Sequence, residues 1–235
     1  PQVKESLQIL SQCWENETFE WNGSISISER SVIPQPIQLP HPPLYMACTK
    51  DDTVRLAAEY GLGALVLGFS GPSQVSELKK IYDDAIASRS NKNCISKTPI
   101  NFLSALCPTV VLNDAEEAFQ IGARGQKFFA ESIQHWNIGT PLPEHVPSDI
   151  DIRDAIDDAK ERVEAFMTKG GHPLPSVVAS TEPFNINHAY GDSDDAIRYV
   201  KELEMAGADE IMCLIQMGGV PHEVAMETIR QYGEN

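Results

Sequence analysis

An α/β fold built on a parallel sheet is what this sequence predicts, and three observations predict it. Short apolar runs alternate with segments of helical period along most of the chain, the order that makes βαβ units. Residues 43–68 contain one such unit whole: an apolar run Leu44–Ala47, a polar turn Cys48–Asp52, a helix Thr53–Tyr60, and a second apolar run Ala64–Gly68. Glycines fall where helices must stop or strands must exit, at Gly61, Gly63, Gly207 and Gly218-Gly219.

The remaining elements follow from local signals. Val3, Leu7, Leu10 and Trp14 share one helix face, and Thr18–Ile27 alternates around Asn22-Gly23, a hairpin turn pair. Five prolines between Ser31 and Pro43 rule out helix and lead the chain, extended, into the strand at Leu44. A helix over Gln74–Ser88 places Val75, Leu78, Ile81, Tyr82 and Ala85 on one face. Phe102–Leu112 reads as a strand in which Pro108 implies a bulge or an exposed edge. Asn113 opens a helix that runs to about His135, with acids in its first turn. Residues 137–180 are a long excursion suited to a lid or pocket wall; it holds a helix over Arg153–Lys169 and an apolar run Ser176–Ala179, a short strand or the start of a loop. Ser193 or Asp194 caps a helix ending near Ala206, Ile211–Met217 is the last strand, and Pro221–Tyr232 the last helix.

Four strands with their helices make half of an eightfold barrel, a fold of about 250 residues. This chain has 235 residues, does not begin with Met and opens directly on a helix; such a half barrel exposes hydrophobic edges, so the expectation is further sequence or a partner. With 34 acidic and 18 basic residues, a formal charge of -16, the chain does not suit general binding of nucleic acid or anionic membrane. The sequence shows neither a membrane-length apolar stretch nor a signal-peptide layout, and a cytoplasmic location is expected. Five scattered cysteines without a C-x-x-C pair read as reduced thiols, neither a disulfide frame nor a metal site.

Chemistry concentrates at two strand exits. At Thr49–Thr53 a strand gives way to a helix, so hydroxyls of Thr49 and Thr53 and the first-turn N–H groups are set to bind a phosphate, although Asp51 and Asp52 oppose an anion and Thr53 or Asp52 can serve simply as a helix cap. The loop Gln216–Glu223 follows the last strand; His222 is a candidate donor there and Glu223 its orienter, against the plainer reading of a turn with an acid in the first helical turn. His188 and Glu182 lie in a polar stretch, Ser180–His188, able to line a pocket. Cys48 and Cys107 on apolar strands read as small buried hydrophobes.

Several stretches together resemble the luciferase-like flavin-dependent monooxygenases: Glu5–Trp14 with Phe19-Glu-Trp-Asn-Gly23, Pro34–Ala47, Leu56–Gly63, Ala206–Ile211 and Gly218-Gly-Val-Pro-His-Glu223. The resemblance implies a (β/α)8 TIM barrel of which this chain supplies roughly the C-terminal half, strands five to eight. It implies reduced FMN delivered by a separate flavin reductase, O2 and a small organic substrate, and a homo- or hetero-dimer. An F420-dependent oxidoreductase of the same superfamily and a non-catalytic flavin-binding relative are the alternatives. In such proteins the turn after strand five holds the FMN phosphate, and Cys48, Thr49, Lys50 and Thr53 fall on it. Bacterial luciferase has Glu-Ser where this chain has Cys48-Thr49, so the acidic member is missing. The family's active-site histidine belongs to strands without a counterpart here, so no catalytic base carries over to this chain and the catalytic residues stay unassigned, with His222 a candidate.

Overall fold

The structure, a computed structural model, describes residues 2–95, 97–168 and 181–234. The chain divides into two compact units, residues 1–65 with 80–103 and residues 66–79 with 104–235.

In the first unit, helix α1 (Gln2–Glu15) precedes an antiparallel hairpin of β1 (Thr18–Asn22) and β2 (Ser26–Ser31), registered from Thr18↔Ser31 to Asn22↔Ser26. The Trp21 indole N–H donates to the Glu5 carboxylate at 2.8 Å, which ties the hairpin to α1. Strand β3 (Tyr45–Cys48) then leads into α2 (Asp51–Tyr60), whose Val54, Ala57 and Ala58 are fully buried, the i, i+3, i+4 face of a packed helix. Gly61 ends α2 in the left-handed region at φ 74°, where a side chain would be strained and would also meet Pro99. The Gly63 N–H bonds the Leu44 carbonyl as β4 (Gly63–Leu67) takes its place beside β3. Helix α3 (Pro72–Ser88) brings buried Tyr82 back: its hydroxyl donates to the Leu62 carbonyl at 2.6 Å and accepts from the Phe102 N–H at 3.3 Å.

The second unit is centred on β5 (Leu103–Val111), nearly all of it buried. Two further strands run parallel to it: β7 (Glu210–Leu214) pairs with residues 104–108 and β6 (Ala189–Gly191) with residues 109–111. Pro108 is therefore neither on an exposed edge nor at a bulge, as its ring had suggested. It is buried at the point where β5 passes from one partner to the other, a place where the ladder tolerates a missing N–H. Strand β6 was not anticipated at all.

The helices of this unit confirm most sequence signals. Asp114 caps α4 (Ala115–Ile138), its carboxylate accepting from the Glu117 N–H at 3.0 Å, and Gly139 ends the helix at φ 75°. Helix α5 (Ile152–Thr168) buries Ile152, Ile156, Ala159 and Val163 in a core shared with Ala118, Ala123 and Ala130 of α4, together with Phe184, Tyr190 and Val220. Its anticipated last residue, Lys169, and the run Ser176–Ala179 lie outside the described residues. Helix α6 (Ser193–Met205) is capped by Asp192, not by Ser193 or Asp194: the Asp192 carboxylate accepts from the Asp195 N–H at 3.1 Å. Helix α7 (His222–Glu234) closes the unit. No helix among the described residues is long and apolar enough to cross a membrane.

Candidate functional site

The corner between β3 and α2 is built by consecutive residues with different duties. Cys48 is buried; its thiol donates to the carbonyls of Met46 and Thr53, and burial pushes its pKa up to about 11, so it is a wall of the corner and a poor nucleophile. Lys50 caps α2 in extended conformation. The Thr53 hydroxyl is committed to that cap, donating to the Lys50 carbonyl at 2.7 Å and accepting from the Lys50 N–H at 3.2 Å. Thr49 and Lys50 are exposed, and no hydrogen bond to the Thr49 hydroxyl forms among the described residues.

What the corner offers an anion is thus the Thr49 hydroxyl, the Lys50 ammonium, the first-turn N–H groups of Asp51 and Asp52, and the positive end of the α2 dipole. Thr53 acts by holding the turn. The carboxylates of Asp51 and Asp52 are exposed, free to point into solvent. A phosphate fits this donor set.

His222 is the first residue of α7, exposed and with exposed Glu223 beside it; neither makes a side-chain hydrogen bond among the described residues. The loop before it is set by close backbone packing. Gly218, at φ 60°, lies so near Gly125 of α4 that a Cβ would come within 2.4 Å of the Gly125 carbonyl oxygen.

A cluster that sequence reasoning left largely unseen lies in the second unit. His188, immediately before β6, is buried with its Nδ1 2.9 Å from the Tyr199 hydroxyl and its Nε2 3.2 Å from the Gln126 amide nitrogen. The imidazole thus bridges Gln126 of α4 and Tyr199 of α6. The Gln126 amide nitrogen also lies 2.9 and 2.6 Å from the carbonyl oxygens of Pro183 and Asn185, sharing its two protons among these neighbours, and the amide oxygen accepts from the Tyr190 hydroxyl at 2.7 Å. Burial lowers the His188 pKa to about 4 and raises those of Tyr190 and Tyr199, so all three rings stay neutral. His188 is a structural histidine of the core. The Glu182 side chain lies outside the described residues.

These observations define the class: an α/β protein with a parallel sheet, a polar corner where a strand meets a helix, and a glycine loop after the last strand. The profile of the luciferase-like monooxygenase family matches residues 1–137, and the chain belongs to that family. Its fold is similar to that of the monooxygenase RslO1 from Streptomyces bottropensis, at 17% identity and a TM-score of 0.59, over 98% of this chain and 58% of that one. It is also similar to the coenzyme F420 dependent tetrahydromethanopterin reductase from Methanopyrus kandleri, at 19% identity and a TM-score of 0.61, over 97% of this chain and 61% of that one. An F420-dependent secondary alcohol dehydrogenase matches at 13% identity and a TM-score of 0.58, over 97% of this chain and 59% of that one. The chain thus spans about three fifths of the length of each. No curated protein matches it.

Proposed function

We propose that this chain forms part of a (β/α)8 barrel that uses reduced FMN and O2 to oxygenate a small organic substrate, and that the β3–α2 corner holds the FMN phosphate. The observation that carries the reading is the corner itself: Thr49 and Lys50 stand exposed at the start of α2 in a member of the luciferase-like family, with Thr53 spent on fixing the turn. When bound, reduced flavin supplies the reaction with O2. The chain's own residues bind and orient: the Thr49 hydroxyl and first-turn N–H groups donate to phosphate oxygens, and Lys50 neutralises their charge. The excursion 137–180, of which residues 169–180 lie outside the described residues, serves in this reading as a lid or pocket wall, and a separate reductase supplies the reduced cofactor. His222, exposed at the head of α7, remains a candidate contact to substrate or flavin.

A second reading, an F420-dependent oxidoreductase, draws on the two fold neighbours that use this cofactor. F420 also carries a phosphate, so the corner serves either. Titrating the protein anaerobically with reduced FMN and with F420, followed by fluorescence, separates them. The FMN reading expects saturable binding that weakens by about 1.5–3 kcal/mol in Thr49→Val, the worth of one hydrogen bond to a charged group. Binding of F420 alone would transfer the site to the second reading, and unchanged FMN affinity in Thr49→Val combined with Lys50→Ala would remove the corner from it.

A further inference from the structure

We propose that the cavity between the middle of α4, residues 144–148 and the loop after β7 binds a small organic carboxylate, with the Arg124 guanidinium as its anchor. The cavity measures about 430 Å³, a size suited to a small molecule. Its walls are largely apolar, with Ile121, Phe128, Val146 and Pro221 contributing, and Phe128 is 47% exposed. Its position matters as well: Gly218 and Gly219, just beyond β7, line it, and ligands of parallel sheets bind outside the carboxyl ends of the strands.

Charge selects the ligand. Lys127, Glu144 and Arg124 line the cavity. Lys127 is neutralised by Glu131 at 2.8 Å, and Glu144 is paired with Arg162 at 3.5 Å. Arg124 has no carboxylate partner among the described residues. It donates instead to the carbonyls of Gln120, Pro147 and Ile150 at 3.1, 3.2 and 2.8 Å, and its Nε–H meets no acceptor among those residues. Three carbonyls fix the position of the guanidinium without cancelling its charge. In a chain with 34 acidic residues to 18 basic ones, a half-buried arginine left uncompensated on a cavity wall is a preorganised seat for an anion. A carboxylate on an apolar body suits both the guanidinium charge, with the one Nη1 proton left beyond the bond to Gln120, and the walls around it.

The test uses the full chain without flavin, so its outcome is independent of the cofactor assignment. Sodium benzoate and benzamide, nearly equal in shape and different in charge, are titrated and followed by calorimetry and amide NMR. Benzoate is expected to bind saturably and at least roughly tenfold tighter than benzamide, with shifts centred on Gly125, Gly218 and Gly219. Arg124→Gln should reduce benzoate to the affinity of benzamide, while Arg124→Lys keeps the preference for the anion. Equal binding of the two probes, no saturation by benzoate, shifts centred elsewhere, or full benzoate affinity in Arg124→Gln would overturn the proposal. The wild-type shift map decides the matter on its own if a variant does not fold.

Discussion

Acidification from pH 7 to pH 5 should destabilise the protein through His188. Its imidazole titrates at 6.5 in the unfolded chain and at about 4 in the folded one, because burial disfavours the charged ring. Above pH 6.5 both states hold it neutral. Between 6.5 and 4 the unfolded chain takes up a proton that the folded protein refuses, so stability falls with pH across that window and levels off below it. The full loss is about 3 kcal/mol, of which about 2 kcal/mol appears between pH 7 and pH 5. The cause is local: the charged ring would be desolvated among neutral partners, the Tyr199 hydroxyl and the Gln126 amide. Carboxylates such as Glu5 and Glu116, held down to about 2 by their hydrogen bonds, begin to contribute only at lower pH. Urea unfolding followed by tryptophan fluorescence at pH 7 and pH 5 measures the difference, with His188→Gln as the comparison. An equal pH slope in wild type and variant, or an NMR shift showing His188 charged at pH 6, would refute the reasoning.

Three further outcomes follow from packing and capping. Gly122→Ala places a methyl group 2.4 Å from the Tyr190 ring, which Gln126 holds by its hydroxyl, so thermal or urea unfolding should show a loss of about 1–3 kcal/mol. Tyr82→Phe removes a hydroxyl serving the Leu62 carbonyl and the Phe102 N–H, both deep in the first unit, and should cost about 1–3 kcal/mol with little change in circular dichroism. Thr53→Val should lower stability by about 1 kcal/mol through the loss of its cap, whereas Thr49→Val leaves stability unchanged and reports only on ligand binding.

Where the sequence carried a periodic or capping signal, the fold was legible in it. The apolar runs at Leu44, Ala64 and Phe102 and the helix faces of α1, α2 and α3 appear within a few residues of their expected bounds. Pro108 misled because the rule that confines proline to edges assumes one partner per strand side over the whole length, and β5 changes partner there. The cap of α6 was misplaced because Asp192, Ser193, Asp194 and Asp195 are all competent caps in a row, and only backbone geometry chooses among them. Strand β6 has three residues, too few to display a period of two. Its supports were hidden for a related reason: Gln126 sits on a helix face of small residues, Gly122, Ala123 and Gly125, and Tyr199 lies within an amphipathic helix, so neither declares that it serves a histidine. Arg124 escaped notice because only the structure shows that its neighbours are carbonyls.

The brevity of β6 also bears on timing. Three registered residues give little ladder to hold, and the contacts that keep the segment in place come from α4 and α6, at Gln126 and Tyr199. These partners are 62 and 11 residues away in sequence, so the segment can settle only once a distant helix has formed and docked. β6 is accordingly expected among the last pieces to lock during folding. A substitution such as Ala189→Gly should speed unfolding and leave the folding rate nearly untouched, while a slowed folding rate would place β6 in the nucleus instead.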